Sequence, residues 1–322
     1  MLRDKLWRRD QTDSPADRYI CKAIHMVDLY QSQRAVRQMR KAVLQKGVIA
    51  IIDVGSSKIA CLILQLDGTD WEGDTDGGKL LTGHSGFQTL GFAITRSRGV
   101  RLGKINSTRE TKRAIRTVLQ SAQKMANTPV SLVIVSMAGG NPQSYGLVGS
   151  TYIDGGQVSE EDVARAILSR TTPDFGETRE VLHAQPINFT LDNRSGLSDP
   201  LGMVGHKLFV DVNTITMDAE NIQNLMCCVN HCDVELAGVV SSAYMSGLSS
   251  LVKDERERGA ACVDMGGDTT SLSIFLKNKM IYIGTVNKGG NQITDSISLA
   301  LKIPSTRAER IKTSYGGVHA TN

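Results

Sequence analysis

Two short segments of the sequence combine the residue types that hold phosphate groups in proteins. Asp53-Val-Gly-Ser-Ser-Lys58 and Asp264-Met-Gly-Gly-Asp-Thr269 each follow an apolar run. Glycines let the backbone turn tightly and bring its N–H groups close to an anion, and hydroxyl groups add donors. We therefore predict two phosphate loops, called here the first loop (53–58) and the second loop (264–269). The expected phosphate contacts are Gly55, Ser56, Ser57, Lys58, Gly266, Gly267 and Thr269.

Each loop also begins with an aspartate, which phosphate alone would repel. Asp53 and Asp264 fit the pattern only if a divalent cation and its waters stand between carboxylate and phosphate. A single Asp-x-Gly turn after a strand is also typical of an ordinary hairpin. Because the pattern occurs twice, the sequence favours a Mg-nucleotide cleft between two domains, with Asp53 and Asp264 holding the metal through water.

Two further segments of the second half could border such a cleft. Lys288-Gly-Gly-Asn291 opens a predicted helix, and its first amides, at Gly289, Gly290 and Asn291, could face an anion. A later helix after Pro304 places Glu309 and Lys312 three residues apart, a spacing that by itself indicates only a solvated ion pair.

The elements that position these residues are two similar hairpins. The apolar run 48–53 predicts a central strand, and the residues after the first loop predict its antiparallel partner, followed by a hairpin loop at 67–79 and a strand at about 80–90. The runs 260–264 and 272–276 repeat the arrangement around the second loop. Two similar hairpins predict two similar half-domains.

Between the hairpins the sequence alternates helical and extended patterns. Helices are expected to begin at Ser107 and Ser159, where a hydroxyl residue precedes a carboxylate by three positions, with a strand at 130–137 between them. We assign 98–173 to a small α/β insert, 47–97 and 174–238 to the first domain, and 239–322 to the second.

Charge and composition exclude several classes of protein. The 322 residues carry a net charge of +4, of which residues 1–46 contribute +6, so the rest is near neutral and a dedicated nucleic-acid binder is not indicated. No apolar run reaches the length of a membrane span or a signal peptide, which predicts a cytoplasmic protein. The basic extension 1–46 is either a flexible charged segment or, through residues 19–30, an interfacial membrane helix.

The cysteine cluster Cys227-Cys-Val-Asn-His-Cys232 has two interpretations. It could hold a metal, but no second ligand pair with zinc-binding spacing accompanies it. Apolar residues at helical spacing around it favour small buried thiols on a core helix.

Several segments resemble the bacterial FtsA cell division family, within the actin, Hsp70 and sugar-kinase superfamily. They extend from about residue 47 to 317 and are Asp53-Val-Gly-Ser-Ser-Lys58, Ser97-Arg-Gly-Val100, Val181-Leu-His-Ala-Gln-Pro186, Asn188-Phe-Thr-Leu-Asp192, Asp199-Pro-Leu-Gly-Met203, Asp254-Glu-Arg-Glu-Arg-Gly259, Val263-Asp-Met-Gly-Gly267 and Ala308-Glu-Arg-Ile-Lys312.

The resemblance implies an α/β, actin-like (ribonuclease H-like) two-domain fold in which the insert is subdomain 1C and the second domain, 2A with the start of 2B, is incomplete. It implies ATP and Mg²⁺ as cofactors, with Glu309 and Lys312 beside the nucleoside and Gly289, Gly290 and Asn291 near the phosphates. The implied function is an adaptor that tethers the FtsZ ring to the inner membrane and helps to assemble the divisome.

Further expectations concern partners and location. The implied partners are FtsZ, late division proteins, the inner membrane and a second copy of the chain through subdomain 1C, with no nucleic acid. The implied location is the cytoplasmic face of the inner membrane at the division site, where the protein would be peripheral. No residue is an obvious general base, so we assign no catalytic role, and at most a weak ATPase activity is expected.

Two departures from the family bear on the nucleotide. Asp268 stands where a third glycine is usual, and its charge should weaken phosphate binding unless Mg²⁺ meets it. Ser271 replaces an aspartate common in the superfamily. A small-molecule kinase and a remnant that binds no nucleotide therefore remain as alternatives.

Overall fold

The computed structural model describes residues 47–66, 87–170 and 178–317. The predictions for the extension 1–46 and the loop 67–79 lie outside these ranges. The described strands are β1 (Val48–Val54), β2 (Lys58–Leu66), β3 (Phe87–Arg96), β4 (Val100–Arg101), β5 (Lys104–Ile105), β6 (Leu132–Met137), β7 (Gln143–Tyr152), β8 (Arg179–Leu191), β9 (Arg194–Leu197), β10 (Lys207–Asp218), β11 (Glu235–Ser241), β12 (Ala260–Met265), β13 (Thr270–Leu276) and β14 (Lys279–Val286).

The described helices are α1 (Thr108–Ala126), α2 (Glu160–Leu168), α3 (Ala219–Asn230), α4 (Ser242–Ser250), α5 (Lys253–Arg258), α6 (Gly290–Leu301) and α7 (Ser305–Tyr315). No helix in the described part of the chain is long and apolar enough to cross a bilayer.

The first domain is built on a five-stranded sheet with the order β11-β6-β1-β2-β3. β1, β2 and β3 pair antiparallel, whereas β6 lies parallel to β1 and β11 lies parallel to β6. Strand β1 is central and rich in valine and isoleucine, as expected for a strand that contacts neighbours on both edges. This order and these directions are those of an actin-like, ribonuclease H-like domain.

Helix α1 covers one face of that sheet, as the sequence predicts. Ser107 caps the helix by accepting the N–H of Glu110, and Asn127 ends it in a left-handed conformation. The buried stripe of the helix packs into the main core and comprises Ala114, Ile115, Val118, Leu119 and Ala122. A Cβ atom at Gly91 would lie 2.3 Å from the carbonyl oxygen of Ala122, so α1 rests directly on the backbone of β3.

The insert is a second sheet with the order β7-β10-β8-β9, covered by α2. Helix α2 begins at Ser159, as predicted, where a capping box joins Ser159 and Asp162. The close approach of helix and sheet depends on Gly149, since a Cβ atom there would lie 1.9 Å from the carbonyl oxygen of Ala166. The insert thus occupies the residues from Gln143 to Asp218.

The insert assigned to 98–173 needs correction at both ends. Strand β6 pairs with β1, and α1 packs on β3, so residues 108–137 belong to the first domain. Strands β8 and β10 pair with each other and with β7, so residues up to 218 belong to the insert. Helix α1, strand β6 and helix α2 lie where the sequence predicted them. However, β6 pairs with β1 and β11, and β10 pairs with β7, all of which are distant in sequence and leave no local pattern.

The second domain contains the antiparallel sheet β12-β13-β14 with helices α4 to α7. The assigned start at residue 239 falls within β11, which belongs to the first sheet. The insert touches this domain through side chains that satisfy the edge of β14. Asn213 donates to the carbonyl oxygen of Met280 at 3.0 Å, and Ile283 donates its N–H to the hydroxyl of Ser144 at 2.9 Å.

Candidate functional site

The two loops have the same backbone geometry. In the first loop the N–H of Gly55 donates to the carbonyl of Lys58 at 3.1 Å, and in the second the N–H of Gly266 donates to that of Thr269 at 2.8 Å. The flanking strands share one register, because Asp53 pairs with Ala60 and Asp264 pairs with Ser271. The internal repeat predicted from sequence is therefore present in three dimensions.

The two loops also lie against each other. A Cβ atom at Gly267 would lie 3.2 Å from the Cβ of Ser57. The backbone of the second loop therefore faces the hydroxyl-bearing tip of the first. Lys58, the last residue of the first loop, is exposed.

The two aspartates at the loop starts interact through space. Burial raises the pKa of Asp53 above its ordinary value, a hydrogen bond with Ser136 opposes this rise, and the negative charge of Asp264 adds to it. Asp264 itself accepts a hydrogen bond from the hydroxyl of Ser246 at 2.8 Å. A divalent cation between the loops would relieve the repulsion between the carboxylates, so the residues present fit a water-bound Mg²⁺.

No group of three or more histidine, cysteine or carboxylate side chains among the described residues could hold a metal directly. In the cysteine cluster, Cys227 and Cys228 lie on α3 and Cys232 follows its end. Cys228 and Cys232 are buried, as predicted for core thiols, whereas Cys227 is exposed. Burial raises the pKa of Cys228 to about 11, which leaves its thiol protonated. A Mg²⁺ ion at the loops would take its other ligands from water and phosphate.

The start of α6 is bound to the second loop rather than open to an anion. The N–H groups of Gly290 and Asn291 donate to the carbonyls of Gly266 and Gly267 at 3.0 and 2.7 Å. The N–H of Gly289 donates to the side chain of its own helix residue Gln292. The expected proximity of α6 to the loop is present, but its first amides position the loop instead of facing a ligand.

Helix α7 is tied to α6 by a partly buried network instead of a solvated ion pair. The ammonium of Lys312 donates to Glu309, to the hydroxyl of Thr294 and to the carbonyl of Gly290, at 2.7, 2.9 and 3.0 Å. Hydrogen bonds from Lys312 and Thr294 hold the pKa of Glu309 below its ordinary value. Glu309 and Lys312 are thus connected to the second loop through Gly290, whose carbonyl accepts from Lys312 and whose N–H donates to Gly266.

Sequence reasoning missed the hairpin β4–β5 (Val100–Ile105), which reaches the second loop from the first domain. The buried amide of Asn221 holds this hairpin, since its Oδ1 accepts the N–H of Ile105 and its Nδ2 donates to the carbonyl of Gly103, both at 3.1 Å. At the tip, a Cβ atom at Gly103 would lie 3.2 Å from Cγ2 of Thr269. The sequence signal that could have revealed this contact is Asn221, a polar residue beside the apolar face of α3.

The sheet order, the insert and the paired loops define an actin-like α/β protein with a candidate nucleotide cleft. The solved PilM–PilN type IV pilus biogenesis complex contains a chain that matches this fold with a TM-score of 0.56 and 14% identity, over 83% of this chain and 70% of that chain. At that identity the likeness supports the fold alone.

Two family models match the sequence. The SHS2 domain inserted in FtsA matches residues 139–216, which agrees with the insert seen in the structure, and the cell division protein FtsA model matches residues 261–322. The cell division protein FtsA of Agrobacterium fabrum is 31% identical over 270 residues, covering 84% of this chain and 60% of that protein. The FtsA of Neisseria meningitidis is 28% identical over 272 residues, covering 84% and 62%.

The chain belongs to the FtsA family. It spans about three fifths of the length of these curated relatives.

Proposed function

We propose that this protein is an actin-like cell division adaptor that binds ATP with Mg²⁺ between its two loops. The observation that carries the nucleotide part is the contact between two geometrically equivalent loops, each preceded by a carboxylate. Backbone N–H groups and hydroxyls of the loops would hold phosphates, and the two carboxylates would orient the metal through water. The bound metal would neutralise phosphate charge.

The family membership supports the cellular part of the proposal. The adaptor would tether the FtsZ ring to the inner membrane as a peripheral protein at the division site and help to assemble the divisome. The ATP would serve as a structural ligand that holds the two domains together. Among the site residues described, none is placed as a general base, so the proposal assigns no catalytic step.

Self-association would use the insert. Strand β7 is an edge strand of the insert sheet, and it carries the exposed apolar side chains of Val148 (58% exposed) and Tyr152 (71% exposed). Exposed apolar side chains on an edge strand favour contact with another chain. This edge is where we place the contact with a second copy.

Calorimetric titration with Mg-ATP tests the nucleotide part. A valine at Gly267 would project against Ser57 and Asn291 and close the space between the loops, so Gly267→Val should abolish binding. Gly146→Val is the matched control, because a Cβ atom there meets nothing within 4 Å. Equal affinity of the two variants would contradict the proposed position of the nucleotide.

Sedimentation velocity and co-sedimentation with polymerised FtsZ test the adaptor part. Val148→Asp should reduce self-association, whereas Val252→Asp, a change at a side chain of equal 58% exposure in the second domain, should not. The unaltered chain should sediment with FtsZ polymers. Failure to do so at micromolar concentrations would contradict the tethering role.

A further inference from the structure

At one of the positions where the two loops differ, the second loop carries a carboxylate that faces inward. The equivalent turns pair Ser57 of the first loop with Asp268 of the second. Ser57 is exposed, whereas Asp268 is buried, with 6% of its surface exposed. One loop therefore has a neutral hydroxyl where the other has a buried carboxylate.

Both oxygens of this carboxylate are engaged within the protein. Oδ1 accepts a hydrogen bond from the side-chain amide of Asn291 at 2.7 Å, and Oδ2 accepts one from the backbone N–H of Leu102 at 2.9 Å. Leu102 lies at the tip of the hairpin β4–β5, where it adopts a φ of 50°. Asp268 thereby joins the hairpin of the first domain, the second loop and α6.

The donors that the start of α6 could offer to an anion at the second loop are already used. The backbone amides of Gly290 and Asn291 already donate to loop carbonyls, and the side chain of Asn291 is held by Asp268. An anion bound by this loop would also lie in the electric field of the Asp268 carboxylate. Because the carboxylate is buried, water screens its charge poorly. The carboxylate thus uses donors, and occupies space, that a bound phosphate would also need.

We infer that Asp268 is a built-in anion that competes with the phosphates of the nucleotide and thereby sets the affinity of the site. This inference rests on the proposed function, and it names the residue that limits binding. The competition has two parts. The carboxylate repels the like-charged phosphates, and it holds the side-chain amide of Asn291. Closure of the hairpin over the second loop and tight nucleotide binding are therefore opposed.

Calorimetric titration of the full chain with Mg-ATP, Mg-ADP and adenosine tests the inference. Asp268→Asn keeps an oxygen for the N–H of Leu102 and removes the charge, so the dissociation constant for Mg-ATP should fall about tenfold. The fall should be smaller for Mg-ADP and absent for adenosine, because only the phosphates feel the charge. Asp268→Ser, which copies Ser57, is the second variant and should act in the same direction.

Asp295→Asn is the matched control, since it removes an exposed aspartate from α6. Its affinity for Mg-ATP should equal that of the unaltered chain. Binding of Mg-ATP by both Asp268 variants with an unchanged or weaker affinity, while the unaltered chain binds, would overturn the inference alone. Absence of saturable binding by every protein at millimolar Mg-ATP would refute the proposed function, and the inference with it.

Discussion

Asn221 is the residue through which the first domain supports the candidate site, and its replacement gives a quantitative test. The side chain is 4% exposed, and its two hydrogen bonds hold the N–H of Ile105 and the carbonyl of Gly103. Both partner residues are buried. Asn221→Ala leaves these two backbone groups without a partner and without ready access to water.

The expected cost follows from those two groups. A buried backbone group that loses its partner costs about 1–3 kcal/mol, so the loss of two partners should lower the unfolding free energy of the variant by about 2–6 kcal/mol. Asn230→Ala, at an exposed position of the same helix, should change the unfolding free energy by less than about 0.5 kcal/mol.

Urea unfolding, monitored by far-ultraviolet circular dichroism, measures the unfolding free energy of both variants. Hydrogen exchange then locates the change in the structure. The amide of Ile105 should lose protection in Asn221→Ala and keep it in Asn230→Ala. If Asn221→Ala were as stable as Asn230→Ala and the amide of Ile105 stayed protected, the assignment of Asn221 as the clamp of the hairpin would be refuted.

Three further predictions follow from the packing and the charges. Gly149→Ala should cost about 1–3 kcal/mol in urea unfolding, because its Cβ would lie 1.9 Å from the carbonyl oxygen of Ala166, while Gly146→Ala in the same strand should be neutral. For Asp162, burial raises the pKa, but hydrogen bonds from Ser159 and the charge of Arg165 outweigh it and lower the pKa below 3.8. Its stabilisation should be present above that value and disappear as the pH falls through and below it, and an acid titration of Asp162→Asn should lack that component. For Asp53, burial raises the pKa and the charge of Asp264 adds to the rise, so the ionised form is disfavoured in the fold and Asp53→Asn should raise the thermal midpoint at pH 7; a lowered midpoint would contradict the conclusion that the fold disfavours the ionised carboxyl.

The features that the sequence predicted well are local. The two loops depend on a few consecutive residues between apolar strands, so their type and spacing are sufficient to identify them. The start of α1 at Ser107 and that of α2 at Ser159 depend on a side chain that reaches the backbone three residues later. Such signals are complete within one helical turn.

The features that the sequence could not predict depend on distant partners. Strand β6 was placed in the insert because its apolar pattern fits any buried strand, and only its pairing with β1 assigns it to the first domain. The carboxylate of Asp268 contacts Leu102, which lies 166 positions away in the chain. The first amides of α6 were expected to face an anion, and their bonds to the second loop depend on how that loop approaches the helix.

The central claim is that a Mg-nucleotide binds between the two loops, and hydrogen–deuterium exchange read out by mass spectrometry tests it most directly. With saturating Mg-ATP, peptides that cover 53–58 and 264–269 should become protected together, and removal of Mg²⁺ should abolish both effects. Protection of only one loop, or of neither, under conditions in which ATP is bound would contradict a site formed jointly by the two loops.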